Sequence, residues 1–356
     1  MRIAIIYDKP RTATPQRHWL SRSRPDGSSI GERFTDASTF WLPQETGLIE
    51  DLLHEGGYET VAYAADDARG LVEFLSRESP DLIFNCCDTF RGRAAFELNV
   101  AAVFELFEIP FTGSSALTLG MALDKGVAKS LFAAHGIPTP PWVVLTPDAN
   151  PREASRLRFP VIMKPIREDA SIGIDRHSIV ETPEALLERA RFVWREFSQP
   201  ALAEEYIDGR ELNVALIGGA AERFVTLPIS EVLFDGFPAG AYRLLTYEAK
   251  WLAESAEYRS TVSRCPAELA PDVAERVRHL ALSAATAVQL RDYGRIDFRI
   301  RRSDGAVFVL EANPNPDLMG DSDFASSAAA AGRTHASVVC EIVERALERG
   351  RRARTI

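Results

Sequence analysis

The sequence predicts a mixed fold, α/β in its first third and α+β thereafter, and three observations predict it. Over the first hundred residues short apolar runs alternate with a helical stretch: residues 2–7, then 48–54 ending at Gly56-Gly57, then 81–85. Alternation of that kind builds a parallel sheet flanked by helices. A smaller unit follows, with strand-like residues 159–165 and 178–180 on either side of a glycine-containing loop, 167–174, and a helix over 182–197. The third observation is a region from about Glu205 that combines strong strands near 213–217 and 293–300 with helices over 272–290 and 336–349.

At 356 residues and 46% hydrophobic content, the chain can bury core enough for two or three domains. The expected division is 1–112, 113–204 and 205–356. The second unit opens at Phe111-Thr112-Gly113-Ser114, ahead of a helical stretch over 131–135 that stops at Gly136 and Pro138. Residues 10–44, rich in Arg, Ser, Thr and Pro, are too long for an ordinary connection, and Trp19, Phe34, Phe40 and Trp41 argue for partial order, as in a lid over a substrate. The basic end, 349–354, reads as a solvated helix terminus complementing its dipole.

Composition excludes several classes. No run approaches the roughly 18 apolar residues of a membrane helix, and the apolar start meets Asp8 and Lys9, so it is a first strand and not a secretion signal. A net charge of -10 leaves no bulk attraction for nucleic acid or an anionic membrane; a site for one small anion must concentrate its own Lys and Arg. Cys86, Cys87, Cys265 and Cys340 form no Cys-x-x-Cys or zinc spacing, which points to a reducing cytoplasm, and the six histidines show no ligand pairing. Cys86 and Cys87 read as packing groups.

The chemistry concentrates in two strand-like segments, Gly294-Arg295-Ile296-Asp297-Phe298-Arg299-Ile300 and Val307-Phe308-Val309-Leu310-Glu311-Ala312-Asn313. Each alternates, so Arg295 and Asp297 share one face, and Glu311 and Asn313 share another. If Ser303-Asp304-Gly305 is a three-residue hairpin loop, Asp297 lies opposite Glu311 and Arg295 opposite Asn313; a two-residue loop separates the carboxylates. Two carboxylates and an amide oxygen on one wall suit Mg²⁺ holding polyphosphate, with Arg295 beside them for an anionic transition state. The other reading is a surface strand whose charges pair with arginines. Lys125 after Leu123-Asp124, Lys164 after an apolar strand, and Lys250 in Tyr247-Glu248-Ala249-Lys250-Trp251 each read singly as solvated lysines.

Taken in order, Phe111-Thr112-Gly113-Ser114 with Leu123-Asp124-Lys125, Met163-Lys164-Pro165, Glu204-Glu205-Tyr206-Ile207 with Glu211, Glu248-Ala249-Lys250, Gly294-Arg295-Ile296-Asp297 and Leu310-Glu311-Ala312-Asn313 resemble the D-alanine:D-alanine ligases of the ATP-grasp superfamily over roughly residues 80–325. The resemblance implies an ATP-grasp fold behind a Rossmann-like pre-ATP-grasp domain, and an ADP-forming carboxylate–amine ligase working through an acyl phosphate. It implies that Lys125 and Lys164 contact ATP phosphates under a loop carrying Ser171 and Gly173. Glu204 then accepts from the adenine amino group, the backbone of Tyr206 and Ile207 meets the ring edge, Glu211 holds the ribose and Leu310 packs the purine. It further implies that Lys250 reaches the transferring phosphate, that Asp297, Glu311 and Asn313 hold one or two Mg²⁺ with Mn²⁺ able to substitute, and that Arg295 stabilises the oxyanion. The implied partners are small carboxylates and amines, with a homodimer as an option. An ATP-grasp enzyme with other acceptor chemistry, such as a carboxylase, and a nucleotide-binding regulator without turnover are the alternatives.

The chain departs from the family pattern in three places. Tyr7-Asp8-Lys9-Pro10 stands where those ligases begin a Gly-Gly-x-Ser-x-Glu segment whose Glu holds the first substrate's ammonium group. Asn85-Cys86-Cys87-Asp88 replaces a His-Gly turn. Pro314-Asn315-Pro316-Asp317 replaces a Pro-Gly-Met-Thr type of segment that binds the second substrate's carboxylate, leaving Asp317 and Ser322 as candidate substrate contacts. Two carboxylates at 4 Å repel by about one to four kcal/mol, depending on the dielectric. D-alanyl-D-alanine is therefore not the expected main product, unless Asp317 turns away to cap its own turn.

Overall fold

A computed structural model describes residues 1–9, 18–23, 29–34, 42–148, 151–219, 222–237 and 240–353. The chain opens with β1 (Arg2–Asp8), followed by an antiparallel pair, β2 (His18–Ser23) and β3 (Ser29–Phe34). Apart from that pair and the first turns of α1 (Leu42–Glu55), the expected lid lies outside the described residues, including Phe40 and Trp41. Then come β4 (Glu59–Ala65), α2 (Ala68–Glu78), β5 (Leu82–Cys86) and α3 (Glu97–Leu106). The sheet is parallel in the order β4-β1-β5. Ile3 and Ile5 pack with Ile49 and Leu53 on one face, and Ala4 and Ile6 with Leu71 and Phe104 on the other. Burial on both faces is why β1 is a continuous apolar run.

The next part carries α4 (Ala116–Leu123) and α5 (Lys125–Ala134), divided at Asp124, whose Oδ1 accepts from the N–H groups of Gly126 and Val127 at 3.1 Å. An antiparallel sheet in the order β6-β9-β7-β8 follows, from β6 (Trp142–Leu145), β7 (Val161–Pro165), β8 (Ile179–Val180) and β9 (Ala201–Glu205). It is covered by α6 (Pro183–Phe197), capped by Thr182 and presenting Leu186, Ala190 and Val193 inward.

The remaining elements are β10 (Gly209–Gly219), β11 (Glu222–Thr226), β12 (Ser230–Leu233), α7 (Tyr247–Trp251), α8 (Ala256–Arg259), β13 (Val262–Arg264), α9 (Pro271–Ala287), β14 (Arg291–Arg301), β15 (Val307–Asn313), α10 (Asp323–Ala330) and α11 (His335–Ala353). Their sheet is antiparallel in the order β13-β12-β10-β14-β15, with β11 beside β10. One face packs under α9 and α5, through Leu212, Ile296 and Phe298 against Ala281, Val288 and Phe132. The other joins Ala215, Ile217 and Tyr293 to α11 and to Ile3 and Phe84 of the first sheet.

One expectation is corrected at the C-terminal helix. Arg349 is no solvated terminal charge: its Nη2 donates to the Phe111 carbonyl and to Asp292 Oδ2, both at 2.6 Å. Beyond it, Arg351 and Arg352 are exposed. Among the described residues, no helix is long and apolar enough to cross a membrane.

Candidate active site

The β14–β15 hairpin sets the site. Arg295 faces Asn313 and Asp297 faces Glu311, the expected pairing. The route to it differs from expectation. The turn holds four residues, Arg302-Ser303-Asp304-Gly305, closed by the Arg301 N–H on the Ala306 carbonyl at 2.8 Å, with Gly305 at φ +70. Such a turn alone would put Asp297 opposite Leu310, but a bulge lets Phe298 pair with Val309, leaves Leu310 extra and restores Glu311 to Asp297.

On that wall Arg295 grips Asp297 with two bonds, Nε to Oδ1 at 2.7 Å and Nη2 to Oδ2 at 2.9 Å, and Asn313 Nδ2 donates to Asp297 Oδ2 at 2.9 Å. Lys125 Nζ lies 3.7 Å from Glu311 Oε2 and donates to the Glu168 carbonyl at 2.6 Å. Burial pushes the Asp297 carboxyl up, against the pull of Arg295, and the net direction is upward. Burial also raises Glu311, but Lys125, Lys164 and Arg295 together outweigh it and hold that carboxyl below its ordinary value. These two carboxylates and the Asn313 amide are a hard-oxygen set. Among the described residues no group of three His, Cys, Asp or Glu encloses a metal alone. The chemistry of the donor set suits Mg²⁺, which commonly takes one or two carboxylates and fills its shell with phosphate oxygens and water.

Glu204 lies deeper and is 1% exposed. Its Oε2 is 2.6 Å from Lys129 Nζ and its Oε1 accepts from Lys164. Burial raises this carboxyl, yet Lys129 and Lys164 win and bring it down to about 2. Lys129, a mid-helix lysine with no motif to mark it, was invisible to sequence reasoning. Nearby, Arg299 Nη2 pairs with Glu211 Oε2 at 2.5 Å and donates to the Arg243 carbonyl at 2.7 Å, where the Tyr206 hydroxyl also donates at 2.9 Å. Ile207 is buried and Leu310 half-buried.

The loop 167–174 crosses to the Lys250 helix. Ser171 Oγ donates to the Leu245 carbonyl at 2.8 Å, Trp251 Nε1 to the Ala170 carbonyl at 2.9 Å, and the Tyr247 N–H to the Ile174 carbonyl at 3.0 Å. Gly173, at φ +77, has no room for a Cβ, which would sit 2.5 Å from Pro165 Cγ. Lys250 is half-buried; burial and Arg295 push its ammonium below its ordinary range.

The substrate end is acidic. Asp8 is buried and fully used by the turn after β5, accepting from Thr89 Oγ1 at 2.5 Å and from the N–H groups of Arg91 and Gly92. Asp88 reaches solvent at the rim of a densely walled cleft, where desolvation first, and then Asp317 and Asp169, raise its carboxyl to about 7 against the pull of Lys250. Asp317 is exposed and caps its own turn, Oδ1 accepting from the Met319 N–H at 2.7 Å. Ser322 Oγ caps α10 by accepting from the Ala325 N–H at 3.1 Å.

An α/β unit before two α+β units, with lysines and a Gly-containing loop facing an acidic hairpin wall, defines an ATP-grasp enzyme. The description "D-ala D-ala ligase C-terminus" matches residues 131–344. The D-alanine–D-alanine ligase of Ralstonia pickettii is 32% identical, over 79% of this chain and 80% of that one. Its counterpart from Ralstonia nicotianae is 33% identical over 71% and 72%. An uncharacterized Sinorhizobium fredii protein is 34% identical over 97% and 96%. The crystal structure of D-alanine–D-alanine ligase from Bacillus anthracis complexed with ATP covers 99% of both chains at a TM-score of 0.75 and 23% identity, a likeness of fold. The chain belongs to the D-alanine–D-alanine ligase family and is an ADP-forming ligase of the ATP-grasp type.

Proposed function

We propose that the protein joins a small carboxylate to an amine through an acyl phosphate, releasing ADP and phosphate; Asp317, turned to cap its own turn, gives no ground for excluding D-alanine as the acceptor. The observation that carries the reading is the pairing of Asp297 with Glu311 on one wall, with Lys125 and Lys164 acting on Glu311 and Lys129 and Lys164 on Glu204.

In this reading Lys125 and Lys164 hold the ATP phosphates, with Ser171 and Gly173 closing over them. The backbone of Tyr206 and Ile207 borders the adenine, and Leu310 packs its face. Glu204 accepts from the adenine amino group while keeping Lys164 in place, and Glu211, oriented by Arg299, takes the ribose. Asp297, Glu311 and Asn313 would hold Mg²⁺, which when bound would supply neutralisation of phosphate charge. A carboxylate oxygen of the first substrate attacks the γ-phosphorus near Lys250, and the bond to ADP breaks. The amine then adds to the acyl carbon, Arg295 faces the oxyanion, and phosphate leaves with the carbon–oxygen bond. Acyl phosphates hydrolyse readily, so a loop latched across the cleft has a chemical purpose. The three units 1–112, 113–204 and 205–356 belong to this proposal, supported by the three larger sheets, as does a reducing cytoplasm, which suits four free cysteines.

Phosphate or ADP release is the test, measured with Mg-ATP and a panel of carboxylates and amines. Glu311→Gln should lower turnover by about 100-fold or more with the fold retained. Full turnover in that variant would sink the metal assignment, and no substrate-dependent ADP from any pair would favour a binder without turnover. The panel includes D-alanine alone: with Asp317 capping its own turn, Asp317→Gly should leave D-alanine-dependent product unchanged, and a clear rise in that variant would show that the carboxylate does repel the acceptor.

A further inference from the structure

Both feet of the loop 167–174 are fastened to one helix. At the first foot, Gln199 just past α6 accepts from the Arg167 N–H at 2.6 Å and donates to Glu168 Oε1 at 2.8 Å. At the second, Arg189 on the inner face of α6 donates from Nη2 to the Gly173 carbonyl and to Ser178 Oγ, both at 2.9 Å, and from Nη1 to Asp175 Oδ2 at 3.2 Å. Arg189 is 7% exposed, Asp175 3% and Ser178 not at all. Asp175 Oδ1 accepts in turn from the His177 backbone N–H at 2.7 Å.

A buried ion pair is poor value for stability, because the desolvation of both charges offsets their attraction. What Arg189 has that an apolar side chain lacks is a planar fork able to fix three acceptors in one plane. One of those acceptors is the carbonyl of Gly173, the residue wedged between Pro165 and Phe197. Between the two feet, Ala170 and Ser171 are held at φ +53 and +61, unfavourable for side-chain-bearing residues unless the surroundings impose them. Fixed feet are what impose them.

We propose that Arg189 is a positioning residue for the terminal phosphate: through the Gly173 carbonyl and Asp175 it sets the height of the loop, and so where Ser171 and Gly173 meet the γ-phosphoryl group. This rests on reading the loop as the cover of the ATP phosphates.

The test uses Arg189→Lys, Arg189→Met and Asp175→Asn in the full chain, with calorimetric affinities for Mg-ATP and Mg-ADP and hydrogen exchange over 168–174. Lysine keeps a positive charge opposite Asp175 but concentrates its donors on one nitrogen, so it cannot span the acceptors that two guanidinium nitrogens reach. Arg189→Lys should therefore melt like the parent protein yet bind Mg-ATP about tenfold more weakly, with Mg-ADP almost unchanged and the loop exchanging faster. Arg189→Met should show the same pattern more strongly; if it does not fold, the lysine variant decides alone. Equal ATP affinity and equal loop protection in Arg189→Lys overturn the role of Arg189, as does equal weakening of ATP and ADP, which a merely structural residue would give. If Mg-ATP fails to slow exchange over 168–174 in the unsubstituted protein, the phosphate-cover reading itself falls.

Discussion

Glu204, Lys129 and Lys164 form a buried cation–anion–cation row, and its logic is electrostatic necessity. Lys129 is 1% exposed and burial drives its ammonium down, so without Glu204 it would be an unpaired charge in the interior. Asp88 sits at the other extreme, at the rim of a cleft where desolvation and neighbouring acids disfavour its charge. Its carboxyl, raised to about 7, keeps a proton in the folded state at pH values where the unfolded chain has lost it. The folded state thus binds more protons between roughly pH 4 and pH 7, and stability falls as pH rises through that window. Because water reaches Asp88, screening reduces the size of the effect and leaves its sign. Asp88→Asn should remove this dependence, so the melting temperature of the variant relative to the parent should climb between about pH 5 and about pH 8. Parallel curves would show that Asp88 is charged throughout.

At the scale of elements, the break between α4 and α5 places the first phosphate lysine. Residues 116–134 would read as one long helix, but Asp124 stops α4 and caps α5, so Lys125 occupies the first turn with its ammonium toward Glu168 and Glu311. Asp124 Oδ2 also takes Arg167 Nε at 2.8 Å, tying the cap to the loop. Asp124→Ala should cost about 1 kcal/mol of stability for the lost cap and weaken Mg-ATP binding, whereas Asp124→Asn keeps the acceptor and should recover most of the stability. Denaturant titration and calorimetry check both; an alanine variant with parental ATP affinity would detach the cap from the site. This element was legible, because Leu123-Asp124-Lys125 carries its own start signal. The hairpin was legible in outcome and not in mechanism: alternation fixed which residues share a face, but a four-residue turn compensated by a bulge at Leu310 leaves no local signature. Lys129 and Asp88 were illegible, since each takes its meaning from groups far away in the chain.

Across the whole molecule, three sheets have to be held in register for a site assembled from all of them, and a small buried network at Asp292 joins their supports. Asp292 is 4% exposed; its Oδ2 accepts from the Gly113 N–H at 3.0 Å and from Arg349 Nη2 at 2.6 Å. Arg349 bonds the Phe111 carbonyl with the same nitrogen, and Arg291 Nε donates to the Gly113 carbonyl at 2.8 Å. Through these contacts α11, the start of β14 and the crossover at 111–113 are tied at one point, beneath the core where α11 packs on the first sheet. Asp292 also stands at φ +63, a conformation that Asn tolerates and Ala resists. Asp292→Ala removes an anion from two donors and adds backbone strain, so it should cost about 3 kcal/mol or more, while leaving the ATP contacts themselves intact. Asp292→Asn keeps the backbone conformation and an acceptor for Gly113, losing only the charge opposite Arg349, and should cost clearly less. Denaturant midpoints of the two variants give the comparison, with Mg-ATP affinity as the second readout. Equal losses would mean that the charge matters and the geometry does not, and no loss in either would show that α11 is held by its apolar face alone.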